Sequence, residues 1–519
     1  MEDNESVRAT VSYELDFQAK VDSDRLGWIL GKHRFAGLYE ESQYTIEEAI
    51  GREQILIDGE LPRPDLPNDD RNRLFRRHYV TDPGNPLDYI NGELTAFPVP
   101  VERTLEDGSI MTSDWFTYQR RWDYTRDIES KMLAMQSFWL GGRLATTFGK
   151  RWDDLEFAFY DEMNDGAGGV VRDPDSLRIT PYEGNTRLMG AVFHVTDAFS
   201  IFYNESDSIG VPELPIRYVP DGRFNDVTTG EGKDFGIKAS LFDGSLHLLA
   251  TRFEASQNNE TEIGSVSNWV VARQDRIVNA LLLDDFLTEA EAEANRVEGT
   301  GFTSDSATDG YEISLVGQLG RSWNIRLNYS WTDREVVNVA PRIQAWAADS
   351  ARPFWNSFDR PNPNDPDGGS ILDTVFTGGN SIRDEMENFE AELSQRVSES
   401  ERVVGLRRHK ASVFVSYTFK EGRLEGLHLG AGARYIGKPV VTQDLDGVDV
   451  YGEDNLSVDF LARYKMRIWD QRFTFQVNVR NAFRDHAEWS PINIIYDDNI
   501  ESIVVFPPRE VVFSIRMDF

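Results

Sequence analysis

Val511-Val-Phe-Ser-Ile-Arg-Met-Asp-Phe519 closes the chain, and its alternation decides the fold. Val511, Phe513, Ile515, Met517 and Phe519 fall on one face, while Val512, Ser514, Arg516 and Asp518 fall on the other. Period two is the signature of a strand with one apolar and one mostly polar face. An aromatic terminus inside that strand ties the chain end into a sheet.

The same pattern recurs upstream. Leu456, Val458, Phe460, Ala462, Tyr464, Met466 and Ile468 alternate with mostly polar residues, and so do Phe473, Phe475, Val477 and Val479 after a short turn. Ala411 to Phe419, Leu427 to Tyr435, Tyr311 to Leu319 and Trp323 to Trp331 read alike. A strand of about ten residues, rising about 3.3 Å per residue and tilted about 45°, crosses an apolar band of about 25 Å. Aromatics stand near the strand ends (Tyr311, Trp323, Trp331, Tyr417, Phe419, Tyr435 and Trp469), where interfacial girdles lie in membrane barrels. A soluble sandwich would show the same polar face. The girdles, and connections alternating between very short and very long, favour lipid on the apolar side. The expected fold is all-β, an antiparallel transmembrane β-barrel with short periplasmic turns and long extracellular loops, occupying residues 1–519 as one barrel portion.

Composition agrees. A hydrophobic content of 40% looks soluble, but barrels hide their hydrophobicity by alternation. No run approaches the roughly 18 apolar residues of a membrane helix. The net charge of −34, from 54 basic and 88 acidic residues, argues against a nucleic-acid partner, which needs a basic footprint. With no cysteine, disulfides, thiolate metal sites and cysteine nucleophiles are excluded. Met1-Glu-Asp-Asn-Glu-Ser6 has neither the basic start nor the apolar core of a signal peptide, and alternation begins at once with Val7, Ala9, Val11, Tyr13, Leu15 and Phe17.

Strand pairs are expected near 6–17 and 31–42, 131–140 and 143–155, 187–195 and 198–205, 234–242 and 245–256, 310–319 and 322–334, 409–419 and 425–437, and 456–468 and 472–484, with a last strand at 510–519. Gly141-Gly142, Thr196-Asp197 and Asp243-Gly244 are hairpin tips, because Gly and Asp tolerate the positive φ such turns require. The count is about fifteen, whereas single-chain bacterial barrels have even strand numbers. The chain therefore reads as about fifteen strands of a larger barrel whose earlier part lies upstream. Such a piece alone is expected to expose two unpaired sheet edges.

Several blocks together resemble the barrel of TonB-dependent outer-membrane receptors. They are Gly149-Lys-Arg-Trp-Asp153, Lys233-Asp-Phe-Gly-Ile-Lys238, Gly310-Tyr-Glu-Ile-Ser314, Trp323-Asn-Ile-Arg-Leu-Asn-Tyr-Ser330, Gly426-Leu-His-Leu-Gly-Ala-Gly-Ala-Arg-Tyr435, Gln476-Val-Asn-Val-Arg-Asn-Ala-Phe483 and Pro508-Arg-Glu-Val-Val-Phe513. The resemblance implies a 22-stranded, plugged barrel that takes up a scarce ligand such as a ferric siderophore, powered through the TonB complex. It implies outer-membrane lipid as a partner and the cell outer membrane as location. The signal peptide, TonB-contacting segment, plug and first strands of that family are not matched here, so TonB would be engaged through the part of the parent protein that precedes this chain.

No enzyme signal or resident cofactor emerges. Phosphate-binding loops, the zincin spacing and a nucleophile elbow are absent, and the seven histidines are dispersed. Asp444-Leu-Asp-Gly-Val-Asp449 and the stretch Asn362 to Gly369 resemble calcium loops only faintly, without a closing bidentate Glu. The candidate extracellular ligand contacts are Trp115, Tyr118, Arg120, Arg121, Trp122 and Tyr124 in one connection and Trp346, Arg352 and Trp355 in another. Aromatics with Arg can stack on and charge-pair with an anionic chelate. The competing role for each is folding the loops onto one another or meeting lipid headgroups. Against active uptake stands a second reading, a passive porin or structural barrel complete with sixteen strands.

Replacing Phe519 by a charged residue is expected to impair barrel assembly. Heat-modifiable electrophoretic mobility after membrane insertion reads this directly, and unaltered insertion would contradict its role as the closing aromatic.

Overall fold

The computed structural model describes residues 2–64, 70–75, 102–165, 169–210, 216–365, 369–375, 379–443, 448–469, 471–495 and 499–518. Phe519 and most of the Asp444–Asp449 stretch lie outside the described residues.

Fifteen long strands carry the fold. They are β1 (Glu2–Asp16), β2 (Lys32–Ile57), β3 (Ile110–Trp139), β4 (Leu144–Phe159), β5 (Arg178–His194), β6 (Phe199–Gly210), β7 (Thr228–Leu241), β8 (Leu246–Ile263), β9 (Gly301–Leu319), β10 (Trp323–Val337), β11 (His409–Thr418), β12 (Leu427–Ile436), β13 (Asn455–Ile468), β14 (Gln471–Arg480) and β15 (Glu510–Asp518). Each is hydrogen-bonded to the next in chain order from β1 to β15, and the short strand Glu102–Thr104 joins β3 beside this path. The fifteen expected strands are these fifteen. By compactness the chain divides into two units, one of residues 1–13, 35–134 and 150–185, the other of 14–34, 135–149 and 186–519.

In the second unit the ladder register aligns the alternation across many strands. Ala239, Leu248, Leu315, Leu327, Val413, Ala433 and Val458 face one another in one row. Leu319, Trp323, Tyr417, Leu429, Ala462, Val477 and Phe513 form another. The row next to the first, Lys238, Leu249, Ser314, Asn328, Ser412, Arg434 and Ser457, is mostly polar and lies on the opposite face. A one-residue slip anywhere would exchange the faces, so the pattern fixes the register. In these apolar rows Phe513 is 60% exposed and Trp323 47%. No helix among the described residues is long and apolar enough to cross a membrane, which bears on helices only.

Three features depart from the sequence reading. Strands β2 and β3 run well past the expected 31–42 and 131–140, because alternation continues there with polar side chains in place of apolar ones. The Trp115–Tyr124 stretch is thus part of β3 rather than loop. The long connections are also not irregular. They hold α1 (Asp24–Leu30), α2 (Ser265–Leu283), α3 (Glu289–Asn295), α4 (Pro341–Trp346), α5 (Arg352–Asn356) and α6 (Ile382–Ser400). Finally, a hairpin of Glu488–Ile495 and Asn499–Phe506 stands where only a connection was expected.

Candidate functional site

The connections after β8 and β10 fold together into a helical module. On α2, Val266, Val270, Ile277, Val278 and Leu281 recur at helical spacing and are fully buried. On α6, Ile382, Phe389 and Leu393 face the same core. Both α3 and α6 begin with a capping box, Thr288 with Glu291 and Ser381 with Asp384, which satisfies the free amides of the first turn. Each fully buried side chain of this kind contributes about 1.5–3 kcal/mol against its exposed state, enough to hold two long connections in one conformation.

Three candidate ligand contacts lie in this module. Trp355 is 1% exposed, and its indole N–H donates to Gln274 Oε1 at 3.1 Å. Trp346 is half-buried, with its ring 6.4 Å from Trp355 and 6.2 Å from Phe389. Arg352 forms an ion pair with Glu390, half in solvent. The structure therefore brings the two tryptophans together, with packing and polar partners inside the module.

Charge also organises the module. Glu385 is 2% exposed and accepts from Arg273 and, at 2.9 Å, from Asn380 Nδ2. Burial alone would push its carboxyl up, but the hydrogen bonds from Asn380 and Arg273 outweigh it and the pKa ends below the ordinary value. Arg383 bridges Asp373 at 2.8 Å and Asp359 at 2.9 Å, and its hydrogen bonds hold both carboxyls below the usual range.

In the other unit, Trp115 is 58% exposed, whereas Tyr124 is 7% exposed and packs on Phe157 with ring centroids 4.5 Å apart. Beside Tyr124, Asp123 pairs with Arg172, which also reaches Glu47 at 3.0 Å. Tyr118, Arg120, Arg121 and Trp122 are in β3, and their side chains lie outside the described residues. Among the described residues no group of three metal-ligating side chains converges. Among the described residues the histidines have separate polar neighbours, His33 beside Ser137 and His428 beside Thr418.

No family model matches the chain. The metal-pseudopaline receptor CntO of Pseudomonas aeruginosa is 18% identical over 381 residues, 72% of this chain and 39% of that protein. The ferripyoverdine receptor of the outer membrane of the same species, solved with ferripyoverdine, matches with a TM-score of 0.53 at 17% identity, over 100% of this chain and 48% of that one. The fold is that of an outer-membrane receptor barrel. The complex of FpvAI with pyocin S2 matches similarly, with a TM-score of 0.51 at 18% identity, over 100% of this chain and 47% of its own. The chain thus spans about half the length of the receptors it matches. The outer-membrane receptor fold implied by the sequence blocks is thus also the likeness found in structure.

Because the Glu385 pKa is lowered on folding, its stabilisation is fully present above the unfolded carboxylate pKa and is lost as pH falls through the folded value. Glu385→Ala leaves Arg273 with the more exposed Glu392 alone and should destabilise the module by about 2–3 kcal/mol at neutral pH. Hydrogen exchange of α2 and α6 should show faster opening, with less dependence on acid than in the native chain. Unchanged protection would contradict the ion pair as the organiser of the module.

Proposed function

We propose that the chain is the strand-bearing part of a TonB-dependent receptor in the cell outer membrane, working in active uptake of a scarce ligand, foremost a ferric siderophore or a similar metal chelate. The observation that carries this reading is the continuous apolar face of β7 to β15, set in the fold of the ferripyoverdine receptor. That face is suited to outer-membrane lipid, since lipid accepts apolar side chains but leaves no backbone group unpaired. The metal-pseudopaline receptor and the ferripyoverdine receptor both handle metal chelates by name, which supports the ligand class.

Among the sequence candidates, Trp115 presents its ring to solvent and is proposed as a direct contact, together with Tyr118, Arg120, Arg121 and Trp122. Tyr124, Trp346, Arg352 and Trp355 are proposed to hold the ligand-facing connections in shape, given their partners.

Deleting the gene in its host, then supplying radioactive iron as ferripyoverdine and other ferric siderophores, tests the proposal. Accumulation of at least one chelate should fall to background in the deletion strain and in native cells treated with an uncoupler. Accumulation that needs the gene but ignores the uncoupler would point to a passive pore and overturn active uptake.

A further inference from the structure

On the apolar face of β7 to β10, all within the second unit, side-chain chemistry is ordered along the strands. Ile237, Ala250, Ile313 and Tyr329 form one cross-strand row. The next row, away from the Asp243-Gly244 turn, is Phe235, Arg252, Tyr311 and Trp331. Beyond it come Lys233, Glu254, Asp309 and Asp333, and then Glu231, Ser256, Ala307 and Glu335. Alternate residues of a strand share a face, so successive rows are about 6.7 Å apart.

Two adjoining hollows follow these rows. The first two rows line a groove of about 550 Å³ with largely apolar walls. Phe235 is 57% exposed and Tyr311 43%, and the Tyr311 and Trp331 rings stand 5.8 Å apart. The last two rows line a pocket of about 450 Å³. Arg252 borders both, donating to the Tyr311 hydroxyl at 2.7 Å and pairing with Glu254 at 2.9 Å.

Charge in the pocket does not balance. Glu254, Asp309 and Asp333 are directly opposed across the ladder, an arrangement that destabilises a sheet. Arg252 compensates Glu254, and Arg408 compensates Asp333 at 2.8 Å. Among the described residues, Glu231, Asp309 and Glu335 make no ion pair, and neither does Lys233. A bare metal ion fits poorly here, because no group of three metal-ligating side chains converges among the described residues. An ammonium tolerates such spread, since it needs only acceptors around its three donors. The apolar groove that leads into the pocket makes the matching occupant amphipathic. Outwards along the strands the wall is apolar, then aromatic, then cationic at Arg252 and Lys233, and acidic at Asp309, Glu231 and Glu335. Aromatic rows of this kind stand at the headgroup level of a bilayer.

We propose that this end of the apolar face holds one lipid in a fixed place, its acyl chain in the groove, its phosphate on Arg252 and Lys233, and a primary ammonium among Asp309, Glu231 and Glu335. The headgroup class is phosphoethanolamine, in which two carbons separate the phosphate ester oxygen from the ammonium and so carry it into the next row. The inference rests on the reading that this face meets lipid and adds a headgroup preference to it.

The test uses the full chain reconstituted in phosphatidylcholine vesicles. Acyl-chain spin-labelled phosphatidylethanolamine, phosphatidylcholine or phosphatidylglycerol is added, and the motionally restricted fraction is read by electron paramagnetic resonance. Phosphatidylethanolamine should associate roughly fivefold more tightly than the other two, the scale of an exposed ion pair. Asp309→Asn with Glu335→Gln should abolish that preference. If this variant does not insert, N-acetylated phosphatidylethanolamine on the native chain serves, and it should show no preference either. Equal restriction of all three lipids would overturn the headgroup site and leave the lipid-facing reading intact. No restricted component with any lipid would overturn that reading and the site with it. A preference for phosphatidylglycerol that appears with magnesium would mark a metal-bridged anionic headgroup and overturn the proposal.

Discussion

The backbone ladder is the constraint on which everything else rests. A strand whose side chains meet an apolar medium has no water to satisfy its amides and carbonyls, so each must be paired with a neighbouring strand. Pairing in strict chain order, β1 to β15, meets that demand with short turns at one end and frees the other for long connections. Once paired, register is set by the apolar rows, because a slip would put Lys238, Arg434 and Asn328 where Ala239, Ala433 and Leu327 now stand.

On that frame the helical module is a second, smaller core. Ordering long connections costs backbone entropy, which polar loop alone does not offset. Burial around Trp355, Phe389, Ile277 and Leu281 supplies the compensation, and the Arg273–Glu385 pair fixes which helix faces which. Rigid connections suit a receptor reading, since a ligand that meets ordered side chains loses less freedom in binding.

Strands were legible because period two is local and each hairpin declares itself within about twenty residues. The alternation of Leu456 to Ile468 needs no distant partner to be read. Helices were legible in principle, through the spacing of Val266, Val270, Ile277 and Leu281 and the capping boxes at Thr288 and Ser381, but they are embedded in stretches rich in Asp, Asn and Pro that read as loop. Candidate contacts were the least legible. Whether Trp355 faces a ligand or a core depends on Gln274 and Phe389, which reach it only through the tertiary fold. Tyr124 depends likewise on Phe157. Sequence marks such residues as notable without saying which way they turn.

The central claim is that one face of the sheet meets lipid. Because the chain has no cysteine, single cysteines can be placed at Leu327 and Val413 on the apolar face and at Asn328 and Ser412 on the polar face, each carrying a fluorescent label, with the protein reconstituted in vesicles containing lipids spin-labelled along the acyl chain. The account predicts strong quenching at Leu327 and Val413 and little at Asn328 and Ser412. Equal quenching on both faces, or none on either, would contradict it.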